Sequence, residues 1–212
     1  MDSRTFKITS TGSNVPLKIT PGHFATNHSH INYYLDMTTL KARMSEARLA
    51  AKALMGMYVY DTVVDTIVCL DGTQIIGACL ADELTNAGFM SRNAHQTIYV
   101  LAPEYNTNSQ MVFRENTQPM ITGKHVIILM ASITTGKTIA KAMECIQYYR
   151  GELAGISAVF SALETVDHIH VNSIFGMRDL PDYGAHDFRD CPFCQRGEKL
   201  DALVNSFGYS KI

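Results

Sequence analysis

The sequence predicts one α/β domain built on a five-stranded, mainly parallel sheet with flanking helices. Apolar runs of strand length recur at 66–70, 95–105, 126–130, 154–162 and 168–175. Segments with helical periodicity separate several of these runs, as expected where parallel strands are joined by crossovers. Because 46% of the 212 residues are hydrophobic, the chain is able to bury a sizeable core.

The first helix is predicted to begin at Thr38, a residue type that often caps helix N-termini. Beyond it, apolar residues recur at steps of three and four, at Leu40, Met44, Ala47, Ala51, Leu54 and Tyr58. A second helix is predicted to begin near Gln74. A third follows the 126–130 strand and is expected to stop at Gly151, with a C-terminal glycine cap.

The two ends of the chain complete the predicted domain. Residues 1–37 form an N-terminal cap segment, 38–175 the α/β core, and 176–212 a C-terminal segment, so that both ends contribute to a small cap. Within the core, residues 103–120 form a long polar stretch with a ribbon predicted at 110–114. Loops of this length are usually functional or disordered.

Charge and cysteine content restrict the class of protein. The net charge of −2 favours neither nucleic acid nor an anionic membrane as a partner. No apolar run approaches the roughly 20 residues of a membrane span. Residues 1–12 lack the apolar core of a signal peptide. Five cysteines, three of them in apolar contexts, predict reduced thiols and a cytoplasmic location.

The stretch SITTGKT, residues 132–138, predicts an anion site. A strand that ends in Thr-Thr-Gly at a helix start directs backbone N–H groups and the positive end of the helix dipole at one point. The predicted phosphate ligands are Ser132, Thr134, Thr135, Gly136, Lys137 and Thr138. Two alternatives stay open. One is a nucleotide-binding P-loop, although that motif needs a glycine where this chain has Ala131. The other is a capped helix without a ligand.

A second turn, LDGT, has the same character. Asp71, Gly72 and Thr73 connect a buried strand to a helix, again with unpaired N–H groups at the helix start. Any βα turn resembles this one, so the signal is weak by itself. If the two turns lie at the carboxyl ends of neighbouring strands, they can hold a ligand with two separated phosphates.

The pair Cys191 and Cys194 forms a Cys-x-x-Cys motif, which can be half of a zinc site. No second such pair exists, and His186 is the nearest residue that could complete the site. His168 and His170 have the pattern of strand residues. A full set of ligands would require a distant or cross-subunit residue, so the sequence favours a turn with reduced thiols and no metal.

Three histidines, His23, His28 and His30, cluster near the N-terminus. A metal site or a general base is one interpretation of such a cluster. Hydrogen-bonded or solvated loop histidines are the commoner outcome, and the sequence favours that interpretation.

Together these features resemble the type I phosphoribosyltransferases, most closely the orotate phosphoribosyltransferases. Residues 22–36 resemble the family's Gly-His-Phe segment, and 69–77 occupy the position of its pyrophosphate loop. Residues 126–138 resemble its signature for phosphoribosyl pyrophosphate. Residues 180–194 resemble the Leu-Pro-x-Tyr and Cys-Pro-x-Cys ending of some bacterial members.

The resemblance implies transfer of ribose-5-phosphate from phosphoribosyl pyrophosphate to a pyrimidine base, with release of pyrophosphate. It implies that residues 134–138 hold the 5-phosphate and that 71–73 lie against the pyrophosphate. It also implies Mg²⁺ carried by the substrate, with no metal ligand from the protein, and a homodimer. The 103–120 stretch would be a mobile loop over the site, in which Glu104 and Arg114 are the charged residues of interest.

The chain departs from the family pattern at both charged parts of the reaction. The signature has two acidic residues, which bind the ribose hydroxyls, where this chain has Met130 and Ala131. The mobile loop of the orotate enzymes is rich in cations, whereas Arg114 is the one cation of 103–116. Two hypotheses follow. One is an orotate-phosphoribosyltransferase-like enzyme, and the other is a non-catalytic sensor of a phosphoribosyl ligand or nucleotide.

Overall fold

The computed structural model describes residues 3–88, 91–94, 96–108 and 110–212. The strands are β1 (Phe6–Thr9), β2 (Pro16–Ala25), β3 (His30–Asp36), β4 (Thr66–Cys69), β5 (Tyr99–Leu101), β6 (Glu104–Tyr105), β7 (Met111–Val112), β8 (His125–Ile133), β9 (Glu152–Ser161), β10 (Thr165–Val166), β11 (Ile169–Gly176), β12 (Ala185–His186), β13 (Ala202–Asn205) and β14 (Gly208–Lys211). The α-helices are α1 (Thr38–Ala42), α2 (Met44–Met55), α3 (Gln74–Thr85), α4 (Lys137–Tyr148) and α5 (Pro192–Gln195), and a 3₁₀ turn spans Gln118–Met120.

The core sheet has the strand order β10-β11-β9-β8-β4-β5. Every pair from β11 to β5 is parallel, and only the short edge strand β10 is antiparallel. The predicted five-stranded parallel sheet is therefore confirmed, with one antiparallel edge strand added. The neighbours β4 and β8 lie at its centre, so the turns that follow them share one edge of the sheet.

The two ends of the chain build a second sheet, which caps the first. Its order is β12-β3-β2-β13-β14, and β1 pairs with the N-terminal part of β2, residues 16–19. Strand β13 joins β2 in parallel at Ala202 and Phe24. The N-terminal and C-terminal segments thus form one structural layer, although they lie at opposite ends of the chain.

Two hydrophobic clusters flank the core sheet, because successive side chains of a strand point to opposite faces. On β8, Ile127, Leu129 and Ala131 pack toward α2, α3 and the cap sheet. The alternate residues Ile128 and Met130 pack toward α4. Strand β8 is buried on both faces, which explains its continuous apolar sequence.

The helix predicted from Thr38 is two helices, which is a correction. Arg43 has φ −99° and ψ 118°, an extended conformation that separates α1 from α2. Thr38 is the first residue of α1 and not its N-cap, which is Met37. The Thr38 N–H instead donates to the carboxylate of Asp36 at 3.0 Å, which satisfies one free donor of the helix start.

The C-terminus of α4 also differs from the prediction. The left-handed residue is Arg150, with φ 59°, and not Gly151. The N–H of Arg150 donates to the Gln147 carbonyl and that of Gly151 to Ile146, both at 2.9 Å, which is a Schellman motif. Gly151 is needed for space, because a Cβ there would lie 2.8 Å from the Ile146 side chain.

None of the helices in the described residues is long and apolar enough to span a membrane. All five cysteines are free thiols.

Candidate functional site

The predicted phosphate turn lies between β8 and α4. The strand ends at Ile133, three residues turn, and the helix begins at Lys137. Gly136 is the N-cap in the left-handed conformation, with φ 76°. Among the described residues, no side-chain hydrogen bond caps this helix, so its first N–H groups point into the turn without a capping acceptor.

Geometry weighs against the P-loop alternative. Ala131 and Ser132 belong to β8, so only three residues separate the strand from the helix. A P-loop needs a longer glycine-rich loop over these positions to wrap the phosphates. The turn is therefore suited to one phosphate group at the helix N-terminus.

A small cavity of about 40 Å³ lies at this turn. All six predicted phosphate ligands line it: Ser132, Thr134, Thr135, Gly136, Lys137 and Thr138. A larger cavity of about 220 Å³ lies next to it, and Ser132, Thr134 and Thr138 line both. The larger volume far exceeds the roughly 10–15 Å³ that one water molecule needs. An anion at the turn would therefore adjoin space for the rest of a ligand.

The larger cavity lies between the core sheet and the cap. Its floor includes the ends of β4 and β8, and its roof comes from the β2–β3 turn and the β13–β14 turn. Tyr34 and Tyr183 line its wall. Burial raises the pKa of the Tyr34 phenol to about 12 and raises that of Tyr183 as well, so both are neutral hydrogen-bonding groups at neutral pH.

The Asp71 turn reaches the same cavity from β4. Asp71 and Gly72 have φ 55° and 79°, so both are left-handed and the turn is tight. Asp71 lines the cavity, and burial raises the pKa of its carboxyl group. Thr73 is fully buried, and its hydroxyl donates to the carbonyls of Leu70 and Leu129 at 2.8 and 3.0 Å. The Thr73 side chain therefore ties the turn that follows β4 to the neighbouring strand β8.

Lys41 is a cavity residue that the sequence did not single out. It lies on α1, and its ammonium donates to the Asp71 carbonyl at 3.0 Å and to the Ser206 carbonyl at 2.5 Å. Burial lowers the pKa of Lys41, and the negative charges of Asp71 and Asp36 partly offset that effect. Among the described lining residues, Lys41 and Asp71 are the one ammonium and the one carboxylate.

Met130 and Ala131 occupy the strand end as buried apolar residues. Met130 is 3% exposed and Ala131 is 7% exposed, and both line the larger cavity. They extend to opposite faces of β8, because Met130 belongs to the α4 side of the core and Ala131 to the cap side. Neither side chain offers an oxygen or nitrogen acceptor to a ligand, whereas Ser132, which follows them, brings a hydroxyl to the cavity.

A ribbon is present within 103–120, but it pairs β6 at 104–105 with β7 at 111–112, so only its second strand lies in the predicted range 110–114. Arg114 donates two hydrogen bonds to one carboxylate oxygen of Glu104, at 2.7 and 2.9 Å. Phe113 is buried, and its N–H donates to the Tyr149 hydroxyl at 3.3 Å. Burial raises the pKa of Tyr105, and the negative charge of Asp71 raises it further. The ribbon therefore lies near the Asp71 turn. Its mobility stays a prediction.

The N-terminal histidines separate into two groups. His28 lies in the β2–β3 turn and lines both cavities. His23 and His30 instead lie against Cys191 and Cys194, away from the described cavity lining. The sequence analysis treated the three histidines as one cluster because they are close in the chain. It did not connect them with the cysteines, which lie more than 160 residues later.

The β13–β14 turn is the other part of the site that the sequence did not indicate. Asn205, Ser206, Phe207 and Gly208 line the cavity mouth, and Phe207 is 94% exposed. The sequence around Phe207 carries no recognisable motif, so it gives no signal that this turn reaches the cavity.

No protein-family model matches the sequence, and no curated protein matches it. Solved structures match its fold. UMP synthase from Leishmania donovani aligns with a TM-score of 0.56 and 15% identity, over 76% of this chain and 34% of that one. The Mycobacterium tuberculosis orotate phosphoribosyltransferase in complex with phosphoribosyl pyrophosphate has a TM-score of 0.51 and 16% identity, over 69% and 82%. This chain has the type I phosphoribosyltransferase fold.

Adenine enzymes share this phosphoribosyltransferase fold as well. The adenine phosphoribosyltransferase from Thermoanaerobacter pseudethanolicus aligns with a TM-score of 0.50 and 16% identity, over 68% of this chain and 88% of that one. The chain spans about a third of the Leishmania UMP synthase but most of the other two proteins. At these identities the likeness establishes the fold, and the base is a separate question.

Proposed function

We propose that this protein binds phosphoribosyl pyrophosphate and transfers its ribose-5-phosphate group to a pyrimidine base, as an orotate-phosphoribosyltransferase-like enzyme. One observation carries the proposal. The turn from Thr134 to Gly136, at the N-terminus of α4, opens into the 220 Å³ cavity beneath the cap. A sugar with a terminal phosphate fits that combination, because the phosphate would occupy the turn and the sugar the adjoining space.

The charges of the cavity support a diphosphate at its other end. Lys41 supplies an ammonium group beside the Asp71 turn, and the N-terminus of α3 follows that turn at Gln74. Both features favour an anion. Because β4 and β8 are parallel neighbours, the two turns leave the same edge of the sheet, which favours one ligand that contacts both.

Magnesium fits this site as a substrate-borne ion. Mg²⁺ prefers oxygen ligands, keeps several waters, and usually binds through one or two carboxylates together with substrate phosphates. Among the described cavity residues, Asp71 is the one carboxylate, so the substrate phosphates and water would supply the ligands of the ion beside it. Bound there with a diphosphate, the ion would neutralise part of the charge that leaves with pyrophosphate.

The pyrimidine preference and the assembly are the finer parts of the proposal. The segments 22–36 and 180–194 resemble those of orotate enzymes, and both belong to the cap that covers the cavity. On the same resemblance we expect a homodimer in the cytoplasm, in which the β6–β7 ribbon closes over the site. The adenine enzymes among the structural neighbours make the base the first property to test.

A specific observation also favours a second function, a non-catalytic sensor of the same ligand. Met130 and Ala131 are buried and apolar where ribose hydroxyls would need acceptors. Arg114 is paired with Glu104, so the ribbon offers little free positive charge to a leaving pyrophosphate. Such a site would retain phosphate affinity and lose the interactions that the transition state needs.

Calorimetry and a turnover assay test the proposal together. The ligands are phosphoribosyl pyrophosphate, ribose-5-phosphate and orotidine monophosphate, each with and without Mg²⁺. Binding of the first together with pyrophosphate release in the presence of orotate supports the enzyme. Binding without release supports the sensor. If none of the three ligands binds, both functions are wrong, and the turn is a helix start without a ligand.

A further inference from the structure

The structure brings four potential metal ligands together at the side of the cap. His23 lies on β2, His30 begins β3, Cys191 is the N-cap of α5, and Cys194 lies one turn later. Their ligand atoms all lie within 4.8 Å of one another. Among the described residues this is the group of histidine, cysteine and acidic side chains that has the spacing of a metal site.

Four of the six distances between the ligand atoms are close to those of tetrahedral zinc, and all six are within 4.8 Å. Zinc bonds of 2.0–2.1 Å to nitrogen and 2.3 Å to sulfur place two nitrogens roughly 3.3 Å apart and a nitrogen and a sulfur roughly 3.6 Å apart. Here His23 Nε2 and His30 Nδ1 are 3.0 Å apart. The distances from Sγ to nitrogen are 3.4 Å for Cys191 with His23, and 3.7 and 3.3 Å for Cys194 with His23 and His30.

Local structure explains why the four atoms converge. Ala25 pairs with His30 across the hairpin, so His23 and His30 are diagonal neighbours, and a bulge between Pro21 and Phe24 alters the direction of β2 there. In α5, the spacing of three residues places both sulfurs on the same side of one helical turn. Hairpin and helix thus present two ligands each.

The surroundings of His23 resemble those of a metal-bound imidazole. Its Nδ1 lies 3.1 Å from the Glu198 carbonyl, an acceptor that requires the proton on Nδ1 and leaves the Nε2 lone pair facing the cysteines. Phe193 stacks on the His23 ring at 5.1 Å, and Phe188 packs edge-on against His30 at 5.0 Å. His23, His30 and Cys191 are buried, whereas Cys194 is exposed, so the site lies at the surface with three of its four ligands enclosed.

We propose that His23, His30, Cys191 and Cys194 bind one zinc ion in a structural site. Four protein ligands leave no open position, so the site is of the closed, structural type. Binding requires only that both thiols lose their protons, with no change of oxidation state. This replaces the expectation of a metal-free thiol turn, because the distant ligands that the sequence lacked come from the N-terminal hairpin.

The site has a consequence for the cavity. The turn between His23 and His30 includes Thr26, Asn27 and His28, all of which line the cavity. A zinc ion would tie that turn to the C-terminal segment, which also pairs with β2 through Asp201 and His23. The metal would therefore hold the roof of the cavity while lying outside it.

Metal analysis of the untagged native chain tests the proposal. After expression with added zinc and gel filtration, elemental analysis should find about one zinc per chain. Cys194→Ser should lose most of it. Two control variants should retain the zinc. They are Cys145→Ser, at a cysteine outside the cluster, and His186→Gln, at the histidine nearest in sequence to Cys191. Equal zinc content in Cys194→Ser and native protein, or loss in His186→Gln, would overturn the assignment.

Cobalt provides a readout that does not depend on whether Cys194→Ser folds. Native protein stripped of metal and reconstituted with Co²⁺ should show thiolate-to-cobalt charge transfer and the intense visible bands of tetrahedral coordination. Hydrogen exchange in residues 23–30 should slow on metal addition. Native protein that takes up neither zinc nor cobalt, or that contains a Cys191–Cys194 disulfide instead, contradicts the proposal.

Discussion

At the scale of single residues, Gly136 decides whether the phosphate turn keeps its shape. Its φ of 76° lies in the left-handed region, and an added Cβ would lie 3.3 Å from Leu163. We expect Gly136→Ala to lower the free energy of unfolding by about 1–2 kcal/mol. We also expect it to weaken phosphoribosyl pyrophosphate binding at least about tenfold, or about 1.4 kcal/mol. Urea unfolding and calorimetry measure the two effects.

Gly123→Ala is the matched control for Gly136→Ala. Gly123 has φ 66°, an added Cβ would meet no atom within 4 Å, and the residue does not line either cavity described above. The variant should lose similar stability and keep its affinity for the ligand. Equal loss of affinity in both variants would mean that global destabilisation, and not the turn, accounts for the effect.

Met130 and Ala131 allow a test of whether the missing acidic residues limit turnover. If they stand where the ribose needs acids, Met130→Asp with Ala131→Asp should raise pyrophosphate release with orotate by roughly 10²–10³, which corresponds to about 3–4 kcal/mol of transition-state stabilisation. Because both positions line the same cavity, the two carboxylates would repel each other, so the folding of the variant must be checked first. Steady-state assays with Mg²⁺ measure the change.

The double variant has a stability cost that needs a control. Met130 packs in the core, and replacing it with a carboxylate should lower the free energy of unfolding by about 2–5 kcal/mol. Met143→Asp, similarly buried but outside the cavity lining, should lose stability and gain no activity. A native chain that already turns over at ordinary enzyme rates would show that the acids are dispensable, with Ser132 the first candidate to hold the ribose.

At the scale of elements, Asp65 aligns the strands that carry the site. One of its carboxylate oxygens accepts from both the backbone N–H and the ring Nδ1 of His125, each at 2.8 Å. Its carbonyl accepts from the Tyr99 N–H at 2.9 Å. Although burial acts to raise it, these bonds from His125 lower the pKa of Asp65. The residue therefore joins β4 to both of its neighbours.

We expect Asp65→Ala to lower the free energy of unfolding by about 1–2 kcal/mol at pH 7. Because folding lowers the pKa of Asp65, its contribution is present above the unfolded-state pKa and is lost as the pH falls through the folded-state value. The difference between native and variant should therefore shrink in acid. Urea unfolding at several pH values measures it, with the exposed Asp61→Ala as the control. A difference that persists in strong acid would mean that the carboxylate is not its source.

The elements that the sequence predicted are those whose burial leaves a local pattern. The core strands and α3 were recognisable because each packs on the sheet with its own periodicity. The break at Arg43 was not recognisable from the sequence. Leu40 and Ala47, on either side of it, are seven residues apart and fit one uninterrupted helical repeat of apolar residues. The pairing of β13 with β2 was also hidden, since contacts between distant segments leave no signal in either one.

At the scale of the whole molecule, some residues of the candidate site could be predicted from local sequence, and others could not because distant segments bring them together. The predicted phosphate turn is local in sequence, so Thr134 and Gly136 could be proposed as ligands from their neighbours alone. Lys41 was not, because its two acceptors lie 30 and 165 residues away. His23 and Cys191, separated by 168 residues, were each seen but not joined. A single sequence can indicate residues of a site that are close together in the chain. It does not show which distant segment supplies the remaining residues.

Lys41, on α1, contacts both the Asp71 turn of the core and Ser206 of the cap. Replacing it tests whether the stability of the cap depends on that of the core. Lys41→Met keeps most of the apolar stem and removes the hydrogen bonds to the Asp71 turn and to Ser206. We expect the free energy of unfolding to fall by about 1–3 kcal/mol. The pKa of Asp71 should rise further, because the charge that offsets burial is lost. Since that attraction exists only while Asp71 is ionised, the deficit should be larger at neutral pH than in acid.

Hydrogen exchange followed by mass spectrometry locates the effect of Lys41→Met. Exchange should accelerate in the β13–β14 hairpin and in the Asp71 turn together, because one ammonium bridges both. Affinity for phosphoribosyl pyrophosphate should fall as well, since the cavity loses its one ammonium group among the described lining residues. Lys52→Met, which removes only an exposed ion pair 4.0 Å long with Glu83, should change neither exchange nor affinity. If the hairpin exchanges at the native rate in Lys41→Met, the cap is held by its strand pairing alone, and the lysine acts only on the ligand.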